Sequence, residues 1–161
     1  MAKSNLSETI HSERIDTVRL GNTGAANLYS DSEVGKIAKL AGPARYVLAA
    51  AGDPIEAIIT SVNAGGTTDG YSIGGVVKRG AKEVILDGLQ ATPGTGTVAL
   101  GDLVVTGSVV AKDTSLQTGT FKQSPKVCKA TAQTPGLVNW RVEDLLDGNG
   151  SVGSRAIIVR I

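Results

Sequence analysis

One histidine and one cysteine bound the side-chain chemistry of this 161-residue chain. A Ser-His-Asp or Cys-His arrangement would have to use His11. His11 sits in the polar opening run MAKSNLSETIHSER. A general base needs a rigid, partly buried setting that fixes its tautomer and reach, so His11 is read as a solvent-exposed, non-catalytic residue. Cys128 lies in VCK, with Lys126 and Lys129 close by. Neighbouring lysines can lower a thiol's pKa, but a buried structural thiol is the commoner state, and Cys128 is read that way. A single Cys and a single His cannot build a transition-metal cluster. The acids are dispersed: Glu143, Asp144 and Asp147 surround one turn and lack the spacing and bidentate acid of a calcium loop. The glycines of GTGTVALG, residues 94–101, are not followed by Lys-Ser/Thr or by a long helix, so they read as turns and not as a phosphate cradle. The expectation is a non-enzyme with no catalytic residues, no cofactor and no metal.

The elements that position these residues are read as strands. Gly is abundant, at 21 residues against 5 Pro, and aromatics make up only 3% of the chain. Gly weakens helix interiors and serves tight turns, and the many Val, Ile and Thr residues fit pleated strands. With only Phe121, Trp140, Tyr29, Tyr46 and Tyr71 as aromatics, the core must be filled by Val, Ile, Leu and Ala. A formal net charge of +1 gives no broad footprint for nucleic acid or membrane. The lone cysteine makes no internal disulfide, so folding does not depend on an oxidising compartment. The first residues lack the apolar core of a signal peptide, and the longest apolar run, around Tyr46–Ala51, is far too short to span a bilayer. Assembly in a cytosol is expected.

Residues 1–30 are polar, with scattered apolar positions Leu6, Ile10, Ile15, Val18 and Leu20. They fit either a partly disordered tail or an extended N-terminal arm that orders against a neighbouring subunit; the spaced apolar residues favour the arm, which is expected to be removable without unfolding the rest. Residues 31–161 are expected to be the β-rich body. SDSEVGKIAKL, residues 30–40, fits either a capped helix, with Ser30 and Glu33 as a capping box, or a strand; Gly35 favours the strand. Further strands are expected at Arg45–Ala50, Ile55–Val62, Tyr71–Lys78 (with a bulge at Gly74-Gly75), Glu83–Leu86, Leu103–Ala111, Val127–Thr131, Val138–Val142 and Ser154–Ile161. Asp147–Gly150 (DGNG) is a tight-turn signal. The fold class is therefore mainly β: a small barrel or sandwich of about eight to ten short strands. Ile58 beside Ile59, and Ile157 beside Ile158, put apolar residues on both faces of a strand, so the second face needs a cover from the arm, a loop or another subunit.

The order of segments carries a resemblance: DSEVGKIAKLAGPARYVLAAAGDPIEAIITSV, then DGYSIGGVVKRG, GDLVVTGSVV, KVCKAT, NWRVEDLL and GSVGSRAIIVRI. Across most of residues 31–161 it resembles the capsid decoration, cement or head-stabilising proteins of tailed bacteriophages. That resemblance implies a virion protein that binds the outer capsid surface and stabilises the shell by bridging major capsid protein subunits. It implies self-association as well, with a trimer favoured over a dimer. The candidate contacts are Leu6, Ile10, Ile15, Val18 and Leu20 in the arm, and Tyr46, Tyr71 and Trp140 as core or interface anchors. The alternatives are another phage structural component, such as a head-fibre base or tail protein, and a carbohydrate-binding β module. The last would need exposed aromatic platforms from a chain with five aromatics in all.

Overall fold

The structure, a computed structural model, describes residues 15–21, 28–63, 70–108, 124–131 and 138–161. Leu6, Ile10 and His11, the turn over residues 64–69, the end of the expected strand beyond Ser108, and Phe121 lie outside the described residues. The described residues form eleven strands and one short 3-10 helix. The protein is thus mainly β, with one closed barrel and a second sheet.

The barrel comprises β1 (Ile15–Leu20), β2 (Ile37–Gly42), β3 (Arg45–Leu48), β4 (Ala57–Asn63) and β5 (Ser72–Val77), in the order β1-β3-β2-β4-β5 and back to β1. The β1–β3 pairing is parallel and the others are antiparallel. Alternation sorts the side chains. Val18, Leu20, Ala38, Tyr46, Ala57, Ile59 and Val76 fill the interior, while Thr17, Arg19, Arg45 and Ile73 occupy alternate, outward positions.

Gly74 and Gly75 shape the β4–β5 ladder, though the bulge they suggested lies on the facing strand. The register slips between Ile59 and Ser61, leaving Thr60 as the extra residue. Gly74 is what lets the strands close up. A Cβ there would sit 2.3 Å from the Ser61 carbonyl oxygen and 2.4 Å from Leu20 Cδ1.

The second sheet comprises β6 (Ala81–Leu89), the two-residue β7 (Thr92–Pro93), β8 (Val104–Thr106), β9 (Lys126–Lys129), β10 (Trp140–Leu145) and β11 (Arg155–Arg160). Its order is β10-β11-β6-β9-β8, with β7 beside β6. Its two edges meet. Leu103 bridges to Arg141, the Val142 amide donates to the Asp102 carbonyl at 2.9 Å, and the Gly101 amide donates to the Val142 carbonyl at 2.8 Å. Val104, Val105 and Thr106 of β8 are all buried, and loop residues Gly52 and Asp53 hydrogen-bond to Thr106 on its free side.

For β4 the second cover comes from within the chain, whereas Ile157 of β11 is half-buried and belongs to neither core cluster. Ile59 points into the barrel, and Ile58 points out of it. There Ile58 joins Ile37, Ala49 and Ile55 in one cluster with Val84, Leu86, Val104, Val127, Trp140, Val142, Ala156 and Ile158. Fully burying one such aliphatic side chain stabilises by about 1.5–3 kcal/mol. Trp140, with no exposed surface, adds a directional contact: its indole N–H donates to the Ile55 carbonyl at 2.9 Å.

Two expectations change here. The body begins before residue 31, because β1 is a barrel strand hydrogen-bonded on both sides; Ile15, Val18 and Leu20 do not belong to a detachable arm. In the region of residues 30–40 the strand reading holds from Ile37, and only the capping box of the helix reading is found. Ser30 and Glu33 form a complete capping box on a 3-10 helix, Asp31–Glu33, and Gly35, at φ 90°, turns the chain into β2. Removing residues 1–28 takes β1 out of a closed barrel, and is expected to abolish the cooperative thermal transition. Gly74→Ala is expected to cost about 1–3 kcal/mol through overpacking, read as a lower midpoint in denaturant unfolding.

Candidate functional site

The candidate contact residues divide by depth. Trp140 is fully buried between barrel and sheet. Val18, Leu20 and Tyr46 are 6%, 0% and 6% exposed. These four are core residues, and contact with a partner would require opening the barrel or its seam with the sheet. Their apolar character marked them for burial, and the partner that buries them is the rest of the chain. Ile15 is exposed and Tyr71 is half-buried.

Tyr71 is set in a polar frame. Two guanidinium groups stand near its ring, with Arg19 Cζ at 5.8 Å and Arg45 Cζ at 5.9 Å from the ring centroid, within cation–π range. The ladders explain the arrangement: Arg19 pairs in register with Arg45 on one side and with Ile73 on the other. Arg45 is further held by donating to the Ala41 carbonyl at 2.7 Å. At the other end of β1, Asp16 pairs with Lys78 at 2.8 Å, and the Lys78 ammonium stands 5.3 Å from the centroid of the Tyr46 ring.

A second polar cluster lies in the second sheet around Asp87, which is 3% exposed. Its carboxylate accepts from the Ser108 amide at 2.8 Å and the Ser108 hydroxyl at 2.6 Å, and faces the Lys126 ammonium at 3.6 Å. Burial by itself would raise the Asp87 pKa; the Ser108 hydrogen bonds and Lys126 outweigh it and hold the carboxyl below its ordinary range. Cys128 Sγ lies 3.5 Å from the Asp87 carbonyl oxygen and 3.8 Å from its carboxylate. Burial, followed by the Asp87 charge, pushes the thiol up to about 11, the opposite of what a nucleophile requires. Lys126 works in the lowering direction, as its nearness in sequence suggested, but Asp87 outweighs it. No motif or spacing ties Asp87 to Cys128; the parallel β6–β9 pairing brings them together.

Between barrel and sheet opens a small, shallow cleft lined by Lys36, Ile37, Ala49, Thr106, Pro125 and Lys126 among others. Its cations are engaged: Lys36 lies 3.6 Å from Glu33, and Lys126 pairs with Asp87. The Thr106 hydroxyl is buried with no hydrogen-bond partner among the described residues. The described residues hold no group of three or more His, Cys, Asp or Glu able to take a metal ion, and no helix among them is long and apolar enough to cross a membrane.

Native protein at about pH 8 is expected to resist iodoacetamide at Cys128 and to be labelled fully once unfolded; rapid labelling of the native state would contradict the buried thiol. Asp87 has a folded pKa below its ordinary 3.8, so its contribution to stability is present above that value and is lost as pH falls through the folded pKa. Asp87→Asn is expected to cost about 1–3 kcal/mol at neutral pH and to flatten the acid limb of a stability-against-pH curve.

Comparison with models of known protein families, with curated proteins and with solved structures finds no match for this chain.

Proposed function

We propose that this chain is a structural virion protein that binds the outer surface of a tailed-phage capsid and stabilises the shell by bridging major capsid protein subunits. The observation that carries the reading is the order of segments over residues 31–161, which resembles decoration and cement proteins. The surface chemistry is compatible with a binding role. The buried nucleophile is held protonated, and several acids serve architecture: Asp53 accepts from Lys39 and from the Ala50 amide, Asp102 pairs with Lys129, and Asp147 clamps Arg155. Exposed aliphatic side chains, among them Ile15, Ile73, Leu100 and Ile161, offer apolar area for an interface of ordinary composition.

The physical case for such a coat protein is additive. Genome pressure pushes shell subunits apart, and a protein that bridges a seam raises the free energy of their separation. Repetition around the shell lets modest contacts act together. Self-association into a trimer, or else a dimer, would multiply the contacts of each bound unit.

Genome-free heads of the phage that encodes the chain, mixed with purified protein and pelleted through sucrose, are expected to carry it down in a saturable ratio and to withstand heating to a higher temperature than bare heads. Density at the tail in cryo-electron micrographs, with a bare icosahedral shell, would overturn this reading in favour of a tail or head-fibre component.

A further inference from the structure

We propose that Asn149 is a site of spontaneous, irreversible deamidation that the folded β10–β11 turn keeps closed, so that the modification marks molecules whose turn has opened. Asn149 stands in the only Asn-Gly pair of the chain, and it is exposed to solvent. The chemistry belongs to the pair itself. The Gly150 backbone nitrogen, its proton lost to solvent base, attacks Asn149 Cγ. A bond forms between them, the Cγ–Nδ2 bond breaks and ammonia leaves, giving a cyclic imide. Water then opens the imide at either carbonyl, to aspartate or to isoaspartate, in which the main chain runs through the former side chain. Glycine after asparagine favours the attack because no Cβ crowds the nitrogen.

The fold requires this labile pair. Gly150 has no room for a side chain: a Cβ there would sit 1.6 Å from the Val98 carbonyl oxygen, and Val98 belongs to the core. Asn149 stitches the turn. Its Oδ1 accepts from the Ser151 amide at 3.0 Å and from the Ser154 hydroxyl at 2.7 Å, and its Nδ2 donates to the Asp147 carbonyl at 3.2 Å. The same contacts oppose the reaction. Cyclisation needs the side-chain carbon and the Gly150 nitrogen brought into an aligned approach, yet the side-chain amide is held at both its oxygen and its nitrogen. Gly150 is not free to swing and meet it, since its carbonyl accepts from the Val98 amide at 2.9 Å. Asp147 closes the turn from outside by accepting from the Arg155 amide at 2.7 Å and from its guanidinium at 2.9 Å. Reaction therefore waits on local opening, and its rate is the opening equilibrium multiplied by the intrinsic rate of the free pair. The product does not restore the turn. Aspartate at this position lacks the Nδ2 donor and sets a carboxylate against the Asp147 carbonyl; isoaspartate adds a main-chain methylene and displaces Gly150 from Val98.

The test uses the full chain in three forms: wild type, Ser154→Ala, and the control Ser30→Ala, which removes a hydroxyl from the capping box of the 3-10 helix. Each is incubated at mildly alkaline pH, native and in guanidinium chloride. Conversion of the Asn149 peptide is followed by mass spectrometry, with isoaspartyl methyltransferase labelling to detect the rearranged product. Native wild type is expected to convert at least about tenfold more slowly than the unfolded chain. Native Ser154→Ala is expected to convert about threefold to tenfold faster than native wild type, as one lost hydrogen bond implies, and at the wild-type rate once unfolded. Native Ser30→Ala is expected to match wild type. Hydrogen exchange at the Ser151 amide of wild type measures the opening equilibrium without any variant, and is expected to show the same protection as the deamidation rates. Native conversion as fast as unfolded, or Ser154→Ala no faster than wild type, would overturn the closed turn. Equal acceleration by Ser30→Ala would replace local opening with global unfolding and overturn it as well. Absence of conversion in the unfolded chain would overturn the site itself.

Discussion

A strand with isoleucine on both faces needs two apolar covers, and β4 has them in one chain. Ile59 is buried among the interior residues of the closed barrel, and Ile58 is buried against the second sheet. The barrel thereby serves twice, once as a container and once as a wall of the neighbouring core. The indole–carbonyl bond from Trp140 to Ile55 adds direction to a contact that hydrophobic burial alone would leave free to slide, because burial is proportional to area and nearly indifferent to angle, whereas a buried donor left unpaired costs about 1–3 kcal/mol. Barrel and sheet are held in one orientation by that difference.

The polar residues follow from this packing. With so much of each strand buried, the acids are drawn to turns, strand ends and ion pairs. Asp147 closes the β10–β11 turn by accepting from the Arg155 amide and guanidinium. Asp53 ties its loop to β2 through Lys39. Asp87 is the exception that goes inside. It is tolerated because Ser108 and Lys126 satisfy it, and one result is a Cys128 thiol held in its neutral form. The lack of acids on the outer positions of β1, β3 and β5 is the other side of the same distribution.

Strand positions and the DGNG turn were legible in the sequence because alternation and turn chemistry are local properties. So was the capping box at Ser30 and Glu33. What escaped was set by partners remote along the chain. β1 read as an arm, since Val18 and Leu20 make only a two-step alternation, and nothing near them in the sequence announces that β3 and β5 will flank them. Gly74-Gly75 read as a bulge, yet the extra residue is Thr60 on the facing strand; the glycines' role is to accommodate the approach of Ser61 and Leu20. Trp140 and Tyr46 were recognised as anchors, but the sequence could not distinguish anchoring this chain's own core from anchoring a partner. The Arg19–Tyr71–Arg45 frame was invisible for the same reason: only Tyr71 of the three drew notice, and strand register supplies the other two.

That register also constrains how the outer face forms. Arg45, Arg19 and Ile73 come from three strands, and β1 reaches the other two by one parallel and one antiparallel pairing. Such pairings join residues far apart in sequence and are slow to form compared with hairpins. Until β1 closes the barrel, the row does not exist, and Val18 and Leu20 are left without their interior. A surface assembled this way cannot be presented by a partly folded chain. Burial of two side chains on the inner face of β1 and placement of Arg19 on its outer face are one event.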